Sequence, residues 1–229
     1  MRTHHAFVAI VAQAFFLRMH GELVLQIVGD HSENPAELSG RLFDNVRYPC
    51  KLATEKVMHY IARLNLCLCF GAYNEAAKLA WKYGNLFVRV SPGHMMNQQE
   101  SFLRGMAFYS VARRTKNWSY QRAAKKALNR LKAWKKAGCP NVLHTCALLS
   151  AEQAAIDGNK DAAESFYKES IVLAGRSGHL YYAALANERY ADFCKTILKD
   201  SEEASYRLSE AKRFYSDWGA TRKVDMLPF

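Results

Sequence analysis

Prolines, glycines and alternating β-branched residues are all scarce in this sequence. Only five prolines and twelve glycines occur among 229 residues, and runs in which Val, Ile or Thr alternate with polar residues are nearly absent. This pattern argues against a β-sheet protein. Half of the residues are hydrophobic, and Ala, Leu, Lys, Arg and Glu are abundant. The composition therefore predicts an all-α protein with enough apolar residues to bury a core.

Acidic residues are missing from the middle of the chain. No Asp or Glu occurs between Glu100 and Glu152, although eleven of the 32 basic residues lie there. The remaining 21 basic residues are matched by 21 acidic ones. The net charge of +11 therefore describes one local basic patch and not the whole surface.

Motifs of nucleotide-binding enzymes are absent as well. The chain has neither a Gly-x-x-x-x-Gly-Lys-Ser/Thr run nor a Gly-x-Gly-x-x-Gly run. His59 and His144 lack the adjacent acid of a phospho-accepting histidine, so we interpret them as helix-interface residues. Cys139, His144 and Cys146 supply only three of the four ligands that a structural zinc takes. We therefore predict no catalytic residue, no cofactor and no metal site.

The six cysteines and the apolar N-terminus both point to an intracellular protein. The cysteines have no framework spacing, which predicts reduced thiols in a cytoplasmic protein. The apolar run from Ala6 to Leu17 has the length of a signal-peptide core, but Arg18 follows it and no small-x-small cleavage pattern is present. The run is also shorter than the roughly 20 residues of a membrane span. We predict that it belongs to a buried helix.

Apolar spacing and turn residues divide the chain into helices joined by short loops. Asn159 and Ser201 are candidate N-caps, and a loop is predicted over 29–45. Short loops require successive helices to pack as antiparallel neighbours. The predicted helices cover 4–28, 50–70, 74–90, 95–115, 119–137, 142–156, 160–175, 179–198 and 201–217.

A small residue recurs after each bend of the chain. In "GAYNEAAKLA" an alanine stands five positions after the bend glycine, and equivalent alanines follow at intervals of 47, 40 and 41 residues. A small residue in the second helix of a hairpin lets the first helix approach closely, and stacked hairpins cover one another's apolar faces. We predict antiparallel helix-hairpin repeats stacked as a tetratricopeptide-like α-solenoid, a curved rod. The repeat positions are Gly71, Tyr73, Ala76, Ala123, Gly158, Ala163, Tyr167, Ala204, Trp218 and Gly219.

The units form one predicted array over residues 1–229. An N-terminal helix and loop occupy about 1–47, and a tail occupies 220–229. Four hairpin units lie between them, at 48–93, 94–138, 139–178 and 179–219.

The second half of the chain also resembles a known family. The resemblance is carried by Cys139-Pro140-Asn141, Ala151-Glu152, Gly158, the run from Ala184 to Glu188, Trp218-Gly219-Ala220 and Lys223-Val224. These residues are similar to the helical repeat region of large signalling proteins that carry a serine/threonine-kinase-like domain, a predicted ATPase, a GAF sensor and a histidine kinase. The resemblance implies a regulatory, non-catalytic role as a scaffold between an ATPase switch and a sensor output. Because kinase, ATPase and GAF segments are absent, we expect a fragment or detached relative without those activities.

The helix over 119–137 is the candidate partner surface. Its basic face consists of Arg122, Lys125, Lys126, Lys132 and Lys136. Three interpretations remain open: a solvated repeat face, a docking face for an acidic or calmodulin-like protein, and a contact with nucleic acid or anionic lipid. Aromatic residues are not interleaved with these charges, which argues against base stacking and against nucleic acid.

Two functions follow from these alternatives. The first is a signalling scaffold whose groove contacts protein partners or adjacent domains, with Gln98, Gln153 and Asn187 as candidate contacts. Asn187 could equally serve as an interhelical hydrogen-bonding residue. The second function is an independent adaptor that binds an acidic protein, a calmodulin-like protein or nucleic acid through the basic helix.

Overall fold

The computed structural model describes residues 17–29, 34–44, 46, 49–50 and 52–227, which are helical apart from turns and one loop. Helix α1 covers 17–28. The others are α2 (Ala53–Cys69), α3 (Tyr73–Tyr83), α4 (Leu86–Val90), α5 (Met96–Thr115), α6 (Trp118–Lys136), α7 (Leu143–Ile156), α8 (Lys160–Arg176), α9 (Leu180–Phe193), α10 (Ser201–Asp217) and α11 (Thr221–Met226). A 3-10 turn over Pro140–Val142 precedes α7, and a π-helical turn over Cys194–Leu198 extends α9. No strand occurs in the described ranges, so the predicted all-α class is confirmed.

Most predicted helices agree with the structure to within a few residues. The predicted loop is non-helical over its described part, residues 34–44, whereas the prediction for residues 4–16 lies outside the described residues. Asn159 caps α8 as expected, because its Oδ1 accepts a hydrogen bond from the Ala162 amide. The Ser201 prediction is wrong. Asp200 is the N-cap of α10, and its Oδ1 accepts from the Glu203 amide at 3.0 Å.

The predicted helix over 74–90 is broken in the middle. Gly84 takes a positive φ of 51°, a conformation that glycine adopts at little cost. This break ends α3 and starts the five-residue helix α4. Asn85 follows the break, and its side-chain oxygen accepts hydrogen bonds from Arg104 and Arg130. Two long-range contacts therefore hold the chain at a bend that the apolar pattern conceals.

Successive helices pack as pairs along the chain. Helix α2 contacts α3, α5 contacts α6, α7 contacts α8, and α9 contacts α10. Each pair also contacts the next, because α3 packs on α5, α6 on α7, and α8 on α9. The first helices of the pairs touch as well: α5 contacts both α2 and α7, and α7 contacts α9. One large apolar cluster runs through these contacts.

The repeated alanines lie at the contacts between helices. Ala76, Ala163 and Ala204 are buried as predicted. In α6 the match is shifted by one residue, since Ala123 is half-buried and Ala124 is completely buried. The bend glycines Gly71, Gly158 and Gly219 all take a positive φ at helix ends. Tyr167 is fully buried and stacks on Tyr190 of α9, while Trp218 packs on Tyr181.

The first and last described helices are in contact, which the picture of a curved rod did not predict. The Thr221 hydroxyl of α11 donates a hydrogen bond to the carbonyl oxygen of Val28 at 2.6 Å. Arg222 donates to the side-chain oxygen of Gln26 at 3.2 Å. Ile27 packs on an apolar cluster that includes Tyr215 of α10. These contacts cover the apolar end of the last pair with residues from the beginning of the chain.

We predict that Gly105→Ala in α5 destabilises the fold by up to about 2 kcal/mol. A Cβ at this position would lie 2.4 Å from Leu149 Cδ1 of α7, and Leu149 is fully buried and has little room to move. Overpacking of this kind costs about 1–3 kcal/mol, of which the better helix propensity of alanine offsets about 1. Urea unfolding measures the change.

The matched control is Gly175→Ala in α8, where nothing lies within 4 Å of the added Cβ. This substitution should raise the free energy of unfolding by up to about 1 kcal/mol. In a Leu149→Ala background, Gly105→Ala should lose its cost. Equal effects of the two glycine substitutions in the native background would contradict close helix packing at Gly105.

Candidate binding sites

A buried carboxylate lies at the centre of the helix array. Glu152 of α7 is completely buried, and Arg189 of α9 forms a bidentate pair with it. Arg189 Nε donates to Glu152 Oε1 at 2.8 Å, and Nη2 donates to Oε2 at 3.0 Å. The Tyr167 hydroxyl of α8 donates to Oε1 at 2.9 Å. Three helices therefore meet at one carboxylate.

A second arginine extends this arrangement to α5. Arg113 Nη1 lies 3.2 Å from Glu152 Oε2, and Arg113 Nη2 lies 3.0 Å from Asp192 Oδ2. Arg189 also lies over the ring of Tyr73 from α3, at 5.3 Å from the centroid. Burial alone would raise the pKa of Glu152, but Arg189 and Arg113 outweigh burial and hold that pKa well below its usual range. The carboxylate is therefore ionised and locked in place at neutral pH.

A second buried ion pair joins α9 to α11. Lys223 Nζ donates to Glu188 Oε1 at 2.7 Å, and the Tyr215 hydroxyl donates to Glu188 Oε2 at 2.8 Å. Lys223 is also within 5.3 Å of the centroid of the Tyr215 ring. Both buried pairs include residues that carry the family resemblance, Glu152 in one pair and Glu188 and Lys223 in the other, but the sequence does not reveal their partners.

The larger cleft, of about 770 Å³, opens beside the Glu152 cluster. Its walls come from α5, α9, the π-helical turn and α10. Arg114, Lys116 and Lys195 lie on it, are exposed, and have no ion-pair partner among the described residues. The other lining residues are Tyr73, Ser110, Arg113, Ala155, Glu188, Arg189, Ala191, Asp192, Thr196, Ile197, Ser201, Ala204, Ser205, Leu208 and Leu227. The exposed cations make this cleft suited to a carboxylate-bearing chain.

Burial holds two histidines and several cysteines in their neutral forms at pH 7. His59 and His144 are buried at helix contacts as predicted, and burial lowers the pKa of each to about 4. His144 packs between His179 and Tyr182, with ring centroids 4.7 Å away in both cases. Burial raises the pKa of Cys67 and of Cys194 to about 11. None of the six cysteines forms a disulfide.

The predicted groove contacts separate into two kinds. Gln98 and Gln153 are half-buried, and Gln98 Nε2 lies 3.3 Å from Cys139 Sγ. Asn187 is buried and donates to the Ala183 carbonyl oxygen within its own helix, so an exposed contact role is wrong for it. Within the described part of the chain, no group of three or more His, Cys, Asp or Glu side chains could hold a metal ion.

The predicted basic face of α6 is exposed along its whole length. Arg122, Lys125, Lys126, Lys132 and Lys136 are all solvent-accessible. None of the five has an ion-pair partner among the residues that the structure describes. The opposite side of α6 is buried through Ala124, Ala127, Leu128 and Leu131. Helix α6 therefore has one apolar face that packs on the core and an opposite face whose positive charges are not balanced by acidic residues of the described ranges.

Exposed tryptophans flank this basic face, contrary to the sequence-based expectation. The basic cleft, of about 470 Å³, lies between α3, α5 and α6. Trp81 of α3 and Trp118 of α6 line it, and they are 50% and 66% exposed. Its remaining lining residues are Asn85, Arg104, Ser119, Arg122, Ala123, Lys126, Ala127 and Arg130. Folding brings together the aromatic and basic groups that are separate in the sequence.

No protein-family model, curated protein or solved structure matches this chain. Among the described residues, no helix combines the length and the apolar character that crossing a bilayer requires. A function must therefore be inferred from the geometry of the Glu152 cluster and the two clefts.

We predict that Glu152→Gln lowers the free energy of unfolding by about 3–5 kcal/mol. The amide keeps the shape but leaves two guanidinium groups, those of Arg113 and Arg189, without their buried counter-charge. Urea unfolding at pH 7 measures the loss. Because ion pairing lowers the pKa of Glu152, its stabilisation is complete above the unfolded value near 4.3 and is lost as the pH falls towards the folded value. The difference in the free energy of unfolding between the native chain and Glu152→Gln should therefore decrease in acid.

The matched control is Glu210→Gln, which removes an exposed pair with Arg213. Exposed pairs contribute about 0–1 kcal/mol, so this substitution should cost far less. A similar loss in both variants would show that Glu152 has no special role in the fold.

We also predict that His144→Phe reduces the sensitivity of the fold to mild acid. The unfolded chain binds a proton at His144 near pH 6.5, whereas the folded chain resists protonation down to about pH 4. Stability is therefore lost as the pH falls from 6.5 to 4, by about 3 kcal/mol at 1.36 kcal/mol per pH unit. Urea unfolding at pH 7 and at pH 4.5 should show a smaller drop for the variant. Parallel pH profiles would contradict a neutral buried His144.

Proposed function

We propose that this chain is a non-catalytic, tetratricopeptide-like helical repeat module that scaffolds protein partners. The observation that carries this proposal is the burial of equivalent small residues, Ala76, Ala163 and Ala204, at contacts between paired helices. Pairs that pack on the next pair through a repeated small residue are typical of α-solenoids. Such arrays present long surfaces to other proteins instead of enclosing a reaction centre.

The family resemblance supports the same proposal. Glu152, Asn187, Glu188 and Lys223, which carry the resemblance, are polar groups placed in the interior or at its edge. A role in joining helices explains why these residue types would recur at these positions of a repeat. We propose a relative or a fragment of the helical region in large ATPase and sensor-kinase signalling proteins, acting inside the cell.

The protonation states of the buried groups support a non-catalytic role. Nucleophilic catalysis by cysteine needs a lowered thiol pKa, whereas burial raises the pKa of Cys69 to about 12 and that of Cys67 to about 11. General base catalysis needs a pKa near the working pH, whereas His59 and His144 titrate near 4. ATP hydrolysis or autophosphorylation by the purified chain above the buffer rate would overturn this part of the proposal.

We place the partner of this scaffold in the larger cleft. Arg114, Lys116 and Lys195 on its rim have no ion-pair partner in the described part of the chain, whereas Arg113 and Arg189 are already held by Glu152. Unpaired cations beside apolar Leu208 suit a peptide segment that carries both carboxylates and apolar side chains. The partner would be such a segment from another protein or from an adjacent domain.

A second function, adaptor binding through α6, is favoured by one separate observation. Five basic side chains on α6 are exposed without ion-pair partners in the described structure. They all lie in the stretch between Glu100 and Glu152 that contains no acidic residue. Uncompensated charge of one sign attracts a partner of the opposite sign. The two functions use different surfaces, so substitutions can separate them.

We predict that peptides selected from a display library with the purified chain as bait lose affinity when the larger cleft is filled. Ser205→Trp adds an indole to an exposed lining position of α10 and should weaken binding at least tenfold, roughly 1.4 kcal/mol. Ser216→Trp, on the same helix but outside the cleft, is the matched control and should leave the affinity unchanged. Fluorescence anisotropy measures both.

The charge reversal Lys125→Glu/Lys126→Glu/Lys132→Glu separates the second function from the first. Peptides bound in the larger cleft should be insensitive to it, whereas a partner of α6 should lose affinity and show a steep dependence on salt. If the selected peptides bind Ser205→Trp with unchanged affinity, the larger cleft is not the binding site of the scaffold.

A further inference from the structure

The basic cleft combines two kinds of group that are seldom exposed together. Two indole rings, Trp81 and Trp118, are half or more exposed on its walls. Four cationic side chains share the same cleft, namely Arg104, Arg122, Lys126 and Arg130. Charged side chains alone keep a helix face soluble, whereas exposing a tryptophan to water is unfavourable. The combination therefore indicates a ligand that has both flat apolar surfaces and negative charge.

The cations on α6 are evenly spaced along one side of the helix. Arg122, Lys126 and Arg130 stand four residues apart, so successive groups are separated by about 6 Å along the axis. A row of this kind can follow successive phosphates of an extended strand. Lys125, Lys132 and Lys136 continue the exposed charge beside and beyond this row.

The inner end of the cleft is held in place by polar contacts. Asn85 Oδ1 accepts hydrogen bonds from Arg104 Nη1 at 2.9 Å and from Arg130 Nη2 at 3.1 Å. Two guanidinium groups are therefore kept side by side on one oxygen atom. Glu100 lies beneath them, completely buried, with Oε1 3.4 Å from Arg104 Nη1. One buried carboxylate faces four cations, so the cleft has a net positive charge. The contacts with Asn85 also fix the guanidinium groups of Arg104 and Arg130 before a ligand binds.

The tryptophans favour nucleobases over an acidic peptide. Trp81 is supported from one side by Phe108 and Tyr120, with ring centroids at 5.0 and 6.0 Å, and half of its surface is free. Trp118 is exposed at the start of α6 and has no ring partner among the described residues. Aromatic platforms beside a basic groove are how proteins bind single-stranded nucleic acid without base-specific contacts. A purely acidic peptide would use the cations but leave both indoles in water.

We propose that the basic cleft binds single-stranded nucleic acid, with bases stacked on Trp81 and Trp118 and phosphates on Arg122, Lys126 and Arg130. This inference rests on the second proposed function, since it names the class of partner that α6 takes. It corrects the sequence-based argument against base stacking, because that argument assumed that no aromatic group lies among the charges.

The test measures anisotropy of a fluorescein-labelled 12-residue oligouridylate with the purified full chain. Trp118→Ala should weaken binding by roughly five- to 100-fold, because stacking is lost while the net charge is unchanged. Trp118→Phe keeps an aromatic face and should retain most of the affinity. Trp118 is exposed, so neither substitution should disturb the core, and circular dichroism checks that the helix content is unchanged.

Charge variants test the phosphate contacts separately. Arg122→Glu/Lys126→Glu should abolish measurable binding, and Arg122→Gln/Lys126→Gln should lower the slope of log affinity against log salt by about 1.4, from two lost phosphate contacts. The matched control Lys56→Glu/Lys160→Glu makes the same change in net charge at exposed positions on α2 and α8, and should weaken binding only slightly.

Competition experiments distinguish a single-stranded nucleic acid from other anionic ligands. Unlabelled oligouridylate or oligothymidylate should displace the probe, whereas poly-glutamate, duplex DNA of the same length and free AMP should not do so at equal phosphate or carboxylate concentration. Equal displacement by poly-glutamate, or unchanged affinity in Trp118→Ala, would overturn the nucleic-acid inference while leaving an acidic partner for α6. Equal loss in the Lys56/Lys160 control, or no binding of any polyanion, would overturn the second proposed function as well.

Discussion

The rest of this structure depends on the buried contact between the Glu152 carboxylate and two guanidinium groups. Helices in a repeat array usually meet through apolar side chains that tolerate small shifts. The bidentate pair with Arg189, the contact with Arg113 and the hydroxyl of Tyr167 instead require one relative placement of α5, α7, α8 and α9. Buried charges are costly unless every partner is present, so this cluster favours a single arrangement of the helices. The walls of the larger cleft are built on that arrangement.

Basic residues have two distinct roles in the chain, although the sequence presents them as one patch. Arg113 belongs to the acid-free stretch between Glu100 and Glu152, yet its charge is balanced by Glu152 and Asp192. Arg122 and Lys126, from the same stretch, have no such partners among the described residues and face solvent. Charge that is satisfied internally stabilises the fold, whereas charge left unsatisfied on the surface is available to a ligand. The contrast supports the proposal that the exposed face of α6 binds a partner.

The helices could be predicted from sequence, but the sites could not. Glycines such as Gly71 and Gly158 mark turns locally, so the helix ends follow from a few neighbouring residues. The break at Gly84 was missed because the apolar spacing continues through it and the arginines that hold Asn85 lie 19 and 45 residues away. Trp81 and Trp118 are likewise remote in sequence and meet at the basic cleft only after α3, α5 and α6 have packed. Glu152 was recognised as part of a motif, but its partner Arg189 is 37 residues away.

The contact between α1 and α11 changes how such an array should lose its structure. In a linear stack the terminal units have one neighbour each, and they open first. Here Thr221 is bonded to Val28, and Ile27 covers the cluster around Tyr215. The last helix therefore has a neighbour on both sides, at the entropic cost of joining residues 193 positions apart. Amide protons of α10 and α11 should then exchange with solvent together with those of the central helices, as one cooperative unit, instead of fraying ahead of them.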